Sequence, residues 1–307
     1  MNCTRNIRKP SAILLLLAAN LLWAGQGVAV KLLAGGLGPL ATALLPLYCI
    51  TIFGLGILLL QRDVAHKVRT AWKLRRELFL AGICGQMMAQ VGMTLGVSLS
   101  TAVNGAILSL LIPIFGALIA VWLLRERLSI LRIVTLLLGL AGVFLLSPLH
   151  RIFAPGTQNH QLTGNFLIAI GCLGSAFYNV YSKRLLEYFS GLEAVFFSYL
   201  STTIFSLPVL FALEPHCLNR LIHLDPVQRG AFIYLAIFVY GVSMVFFLQA
   251  LDTVDVVIAS ASLYLMPLFG IGLAFSVLGE HIAPRTLLGS GIVLTATLLL
   301  FRFDYAF

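Results

Sequence analysis

Ten apolar runs, each about as long as a bilayer crossing requires, follow one another along this 307-residue chain with little between them. They lie at 13–33, 40–61, 78–98, 101–124, 130–148, 163–186, 192–213, 229–250, 255–278 and 284–303. The hydrocarbon core takes a helix of about 20 mostly apolar residues. A barrel strand is shorter, about ten residues of alternating pattern, so the runs predict helices. The third and fourth runs nearly touch. A single helix there would exceed 45 residues, and the polar step Ser98-Leu99-Ser100-Thr101 divides it. Ten spans leave no stretch for a separate soluble domain. Only 10% of residues are charged, against roughly 25% in an ordinary soluble domain. That is too few to cover a soluble surface.

The net charge of +9 would suggest nucleic-acid binding in a soluble protein. Here the charges sit in the gaps between runs, which predicts loops obeying the positive-inside rule and no nucleic-acid partner. Alternate gaps carry fifteen and five Lys or Arg. With an even number of spans, this places both termini in the cytoplasm. The start, Arg5 to Lys9 followed by Ile13 to Leu22, imitates a signal peptide. The run continues to Leu33, and the segment has a counterpart in the second half, so an uncleaved first span is expected. The five cysteines include no C-x-x-C pair, and three lie within apolar runs. They indicate neither a disulfide framework nor a metal site.

The two halves repeat. Leu111 to Glu126 aligns without gaps on Leu265 to Glu280, with seven of 16 positions identical, among them Pro113 with Pro267 and Glu126 with Glu280. Five spans per half is an odd number, so the copies run in opposite directions. The fold expected is an all-α integral membrane protein of ten transmembrane helices, as two inverted five-helix repeats at 12–148 and 163–303. Such repeats build many secondary transporters, with a substrate site near the midplane between them.

These residues carry a resemblance. Leu22-Trp23-Ala24 followed by Lys31, the mid-helix Pro113 and Pro267, and the L-x-E endings at Glu126 and Glu280 resemble the EamA type of the drug/metabolite transporter superfamily. The resemblance covers about residues 12–303. One departure is Arg125, where the second copy has Gly279, the commoner residue in the family. The resemblance implies ten helices in two repeats and export of amino acids or other small metabolites.

Polar residues at helical spacing mark the expected substrate cavity. Asn20 and Trp23 lie on the first span, Gln86 and Gln90 on the third, Asn104 on the fourth. Tyr178 and Asn179 lie on the sixth, Tyr240 on the eighth and Tyr264 on the ninth. Spacings of three and four place such residues on one stripe. A carboxamide facing lipid is costly, so the Asn and Gln must face protein or a wet cavity. Ser and Thr in the spans need no more than a bond to their own backbone. Pro113 and Pro267 each remove a backbone donor and free the carbonyl four residues back, at Ser109 and Leu263. They are read either as packing kinks or as bends that open the cavity. Lys31 with Glu280 on one side, and Lys183 with Glu126 on the other, are candidate ion-pair gates. Each could instead be a snorkelling Lys and a helix-end Glu.

The absences narrow the chemistry. No Asp, Glu, His, Lys or Arg falls at a midspan, so a proton relay through the bilayer is not expected. No G-x-x-x-x-G-K, HExxH or G-x-S-x-G occurs, which disfavours an ATP-driven pump and an embedded hydrolase. No cofactor is expected. The predicted function is a secondary exporter of small metabolites such as amino acids, working by alternating access in a bacterial cytoplasmic membrane. Its partners are a small-molecule substrate and the lipid bilayer; a homodimer has no support in the sequence. The alternatives are a multidrug or quaternary-amine exporter, using Trp23 and the tyrosines as cation–π partners, or a lipid-handling membrane protein.

Overall fold

The computed structural model describes residues 9–124, 130, 133–134, 137–138, 141, 159–279, 288–289, 291–292, 295 and 299. Most of the fifth and tenth expected spans lie outside the described residues. So do Glu126 and Glu280.

The described residues are helical, with no strand among them beyond an isolated bridge between Ala34 and Leu37. Seven helices among them are long and apolar enough to cross a membrane: Ser11–Leu33, Pro39–Leu59, Arg75–Leu99, Ala102–Leu123, Gly191–Leu213, Pro226–Thr253 and Ile258–Leu278. They correspond to expected spans 1 to 4 and 7 to 9, and those numbers are kept below. The helix Asn159–Leu185 stands where span 6 was expected. Ser175, Asn179, Ser182 and Lys183 dilute its apolar character, yet its 27 residues reach about 40 Å at 1.5 Å per residue. Large apolar side chains face outward from several spans, with Ile52 70% and Trp122 79% exposed. A contiguous belt of this kind suits lipid, not water.

Span 1 packs on spans 8 and 9, span 6 on spans 3 and 4, and span 2 on spans 7 and 8. In a bilayer this association rests on close packing and interhelical hydrogen bonds, not on burial from water. Spans 3 and 6 approach closely through glycine. A Cβ on Gly92 would stand 2.7 Å from the Gly171 nitrogen, and one on Gly96 would stand 2.7 Å from the Gly164 carbonyl oxygen. Only hydrogen fits there, so the two backbones meet. Ser and Thr inside the spans mostly bond the carbonyl one turn back, as at Thr51 to Leu47, Ser182 to Tyr178 and Ser198 to Ala194.

Five of the described spans depart from regular α-helix. Span 1 is interrupted at Gly25, between helices Lys9–Ala24 and Gln26–Leu33. Ala81–Met87 of span 3 and Tyr234–Val242 of span 8 are π-helical. Span 4 breaks at Ser109 and Leu110, between helices Ala102–Leu108 and Leu111–Leu124. Span 9 breaks at a 3-10 turn, Leu263–Leu265, between Val256–Ser262 and Met266–Leu278. Both breaks immediately precede a proline pair member. At each, the carbonyl that proline leaves free is taken by the residue before proline: Ile112 N–H donates to Ser109, and Met266 N–H donates to Leu263.

Candidate substrate cavity

The breaks and π segments shape two adjoining cavities inside the bundle. One is lined by Trp23, Gln26, Gln86, Gln90, Tyr178 and Asn179 among others, with Ile112, Met244, Leu263 and Met266 closing it. The other extends from it toward Val28, Ala102 and Gly270, and shares Trp23, Gln26, Met93 and Met266. Among the described residues, no Asp, Glu, Lys, Arg or His lines either one.

Three amides run along one wall. Gln26 Nε2 donates to Gln90 Oε1 at 3.1 Å, Gln90 Nε2 donates to Gln86 Oε1 at 3.3 Å, and Gln86 Nε2 ends on the Met244 sulfur at 3.9 Å. A thioether is a weak acceptor, so the chain ends loosely. Beside Gln86, the Tyr178 hydroxyl pairs with Ser198 Oγ at 3.0 Å. The Trp23 indole donates to the Val239 carbonyl at 3.0 Å and packs against Phe247. That carbonyl belongs to the π segment, where widened turns leave backbone groups for side chains to satisfy. Tyr199 likewise donates to the Tyr240 carbonyl at 2.9 Å, and Thr202 to the Gly82 carbonyl at 2.8 Å.

The structure therefore brings Trp23, Gln86, Gln90, Tyr178 and Asn179 together. It places the other candidates elsewhere. Asn20 is fully buried, and its amide donates to both the carbonyl and the hydroxyl of Ser262, each at 2.9 Å. It holds the end of the helix that stops before the span 9 break. Tyr264 lies in the 3-10 turn itself, and its buried hydroxyl has no hydrogen-bond partner among the described residues. Tyr240 lies beside the Thr94 and Gln26 side chains, and its buried hydroxyl has no hydrogen-bond partner among the described residues. Asn104 belongs to a small polar cluster at the start of span 4. It donates to Ser100 Oγ at 3.0 Å and to Asn165 Oδ1 at 3.4 Å. Gln26 and Met244 were not among the sequence candidates. Gln26 sits one position off the stripe from Asn20 through Trp23 to Lys31, and Met244 reads as an ordinary core residue. A Gln within an apolar run was the signal available for Gln26.

The candidate gate lysines are both tied to backbone at helix ends. Lys31 Nζ donates to the Ser100 carbonyl at 2.5 Å. Lys183 Nζ donates to the carbonyls of Leu251 and Val254, the latter at 3.0 Å. A cation at a helix C-terminus complements the dipole there. The glutamates proposed to face them lie outside the described residues.

A sequence profile of the EamA-like transporter family matches residues 10–147 and 162–302. A protein of Streptantibioticus cattleyicolor named as a probable terminal-alkyne amino-acid exporter is 24% identical over 73% of this chain and 72% of its own. A protein of Clostridium kluyveri named as an uncharacterized transporter is 22% identical over 95% of this chain and 93% of its own. One of Archaeoglobus fulgidus, also named as an uncharacterized transporter, is 26% identical over 76% and 80%. A solved crystal structure superposes over 97% of this chain and 98% of its own, with a TM-score of 0.71 and 19% identity. That likeness shows the fold alone.

Proposed function

From the premise that this multi-pass membrane chain belongs to the EamA-like transporter family, we propose that it exports small neutral or zwitterionic metabolites, amino acids among them, by alternating access without ATP. The observation that carries this is the makeup of the cavity: amides, aromatic rings and methionines, with no charged side chain among the described lining residues. A free organic cation would need a buried carboxylate as counter-ion, and the lining has none. An amino acid brings both charges with it, and amides can donate to one end and accept from the other. The name of the Streptantibioticus relative points toward the same substrate class.

Ten helices in two inverted repeats are part of the proposal. Four pairs of lining residues stand 152 or 154 positions apart: Trp23 with Ser175, Gln26 with Tyr178, Gln90 with Met244, and Ile112 with Met266. That is the offset between Lys31 and Lys183, and between Pro113 and Pro267. It also relates the helix-end contacts, Lys31 on Ser100 and Lys183 on Val254. A cavity crossed by the pseudo-symmetry axis is where an inverted-repeat carrier holds its substrate. We place the chain in a bacterial cytoplasmic membrane, on the shortness of the gaps between its apolar runs, with both termini inside, on the Lys and Arg asymmetry of those gaps.

Metabolite profiling tests this reading. Medium from cells overexpressing the chain should gain one or more amino acids or related compounds relative to cells carrying the empty vector. Identical profiles, with the chain present in the membrane, would refute export.

A further inference from the structure

The helix Val64–Lys73 joins spans 2 and 3 and takes little part in the bundle. Steps of 100° per residue divide it into three faces. Ala71 is buried and Lys67 pairs with Glu193 at the start of span 7, so this face turns inward. The next face carries Val68 and Trp72, one turn apart and exposed by 49% and 72%. Beyond it, Arg69 and Lys73 form an exposed cationic row. Between residues 62 and 76 there are six Lys or Arg and one acid. The Arg75 guanidinium stands 5.7 Å from the Trp72 ring.

An exposed tryptophan suits the headgroup level of a bilayer. A short helix with an apolar stripe beside a basic row lies in the interface plane and gains from anionic lipid. The helix is bracketed by two membrane spans, so it stands at that level whichever way the chain is oriented. We propose that Val64–Lys73 binds the headgroups of anionic phospholipids. Val68 and Trp72 reach the acyl boundary while Arg69 and Lys73 meet the phosphates.

The test is tryptophan quenching in vesicles. The full chain is reconstituted in phosphatidylcholine containing a fixed fraction of lipid brominated near the top of the acyl chain. The brominated lipid is either phosphatidylglycerol or phosphatidylcholine. Because the chain has three tryptophans, Trp72→Phe isolates the Trp72 contribution by difference. Each basic group enriches anionic lipid about fivefold nearby. Brominated phosphatidylglycerol should therefore quench the Trp72 component severalfold more than brominated phosphatidylcholine. Arg69→Gln/Lys73→Gln changes only exposed side chains, and should lower the preference for phosphatidylglycerol severalfold, with Arg75 beside the Trp72 ring keeping a remainder. Equal quenching of the unaltered chain by both lipids would overturn the proposal. So would unchanged selectivity in the double variant, or a Trp72 component reached by aqueous acrylamide and by neither lipid.

Discussion

Gln90 accepts from Gln26 and donates to Gln86, so it is the middle of the amide wall. Replacing it with Leu breaks two hydrogen bonds and keeps the volume. A neutral hydrogen bond contributes about 0.5–1.5 kcal/mol, so the apparent KM of a transported amino acid should rise roughly 2- to 12-fold per lost contact. Initial rates in proteoliposomes measure this; an unchanged KM would remove the amides from recognition. Asn20 calls for a different experiment. Its amide is the partner of the Ser262 carbonyl, and Asn20→Leu leaves that acceptor buried and unpaired, a loss of about 1–3 kcal/mol. The residue 152 positions later, Cys172, makes the corresponding contact, its thiol donating to the Leu108 carbonyl at 3.3 Å. A thiol is a weak donor, so Cys172→Ser should keep or slightly raise stability while Asn20→Leu lowers it. Thermal unfolding in detergent compares the two. The one-face spacing rule located Trp23, Gln90, Tyr178 and Asn179, which lie in regular helix, and also Gln86, which stands near the end of its π segment and still meets Gln90 four residues on. Asn20 obeyed the same rule, but a buried amide can serve a helix break as readily as a cavity, and spacing does not distinguish the two uses.

Elements matter most where they are irregular. Pro113 and Pro267 were legible as kinks, since the missing donor follows from the residue type. The breaks they cause begin one turn earlier, at Ser109 and at Leu263, and the 3-10 turn carries Tyr264 away from the cavity lining. The π segments were not legible. Each widens its helix by a fraction of a turn, so regular 100° stepping misplaces Tyr240, which lies within one. If the breaks are the moving joints, Pro113→Ala and Pro267→Ala should each slow transport at normal membrane abundance, with the double variant slower than either. Normal rates in the double variant would make them packing kinks. Gly92 offers a stability test of the span 3 and span 6 contact. A methyl group there meets the Gly171 backbone, and overpacking of this kind costs about 1–3 kcal/mol. Gly92→Ala should lower the melting temperature and, by separating Gln86 and Gln90 from Tyr178, weaken substrate binding as well.

At the scale of the whole molecule, the order of the helices that stand at expected spans 1 to 4 and 6 to 9 was legible, because apolar length is set by bilayer thickness. Which spans touch was not, except through the repeat. The gate proposal belongs to this scale. Both lysines cap helix ends at positions related by the repeat, on opposite sides of the cavity in the proposed topology. If Lys31 also closes one mouth against Glu280, Lys31→Glu should impair transport, and adding Glu280→Lys should restore part of it; no recovery with normal expression would leave Lys31 as a helix cap alone. The central claim is that an uncharged cavity carries small metabolites by alternating access without ATP or an obligatory proton. Counterflow tests it most directly. Purified chain in liposomes is loaded with an unlabelled mixture of neutral amino acids, with no nucleotide present and the pH gradient collapsed. A trace of each labelled amino acid is then added outside. The account predicts transient accumulation of at least one label, diminished by Gln90→Leu. No accumulation of any label, or accumulation only when a pH gradient is imposed, would contradict it.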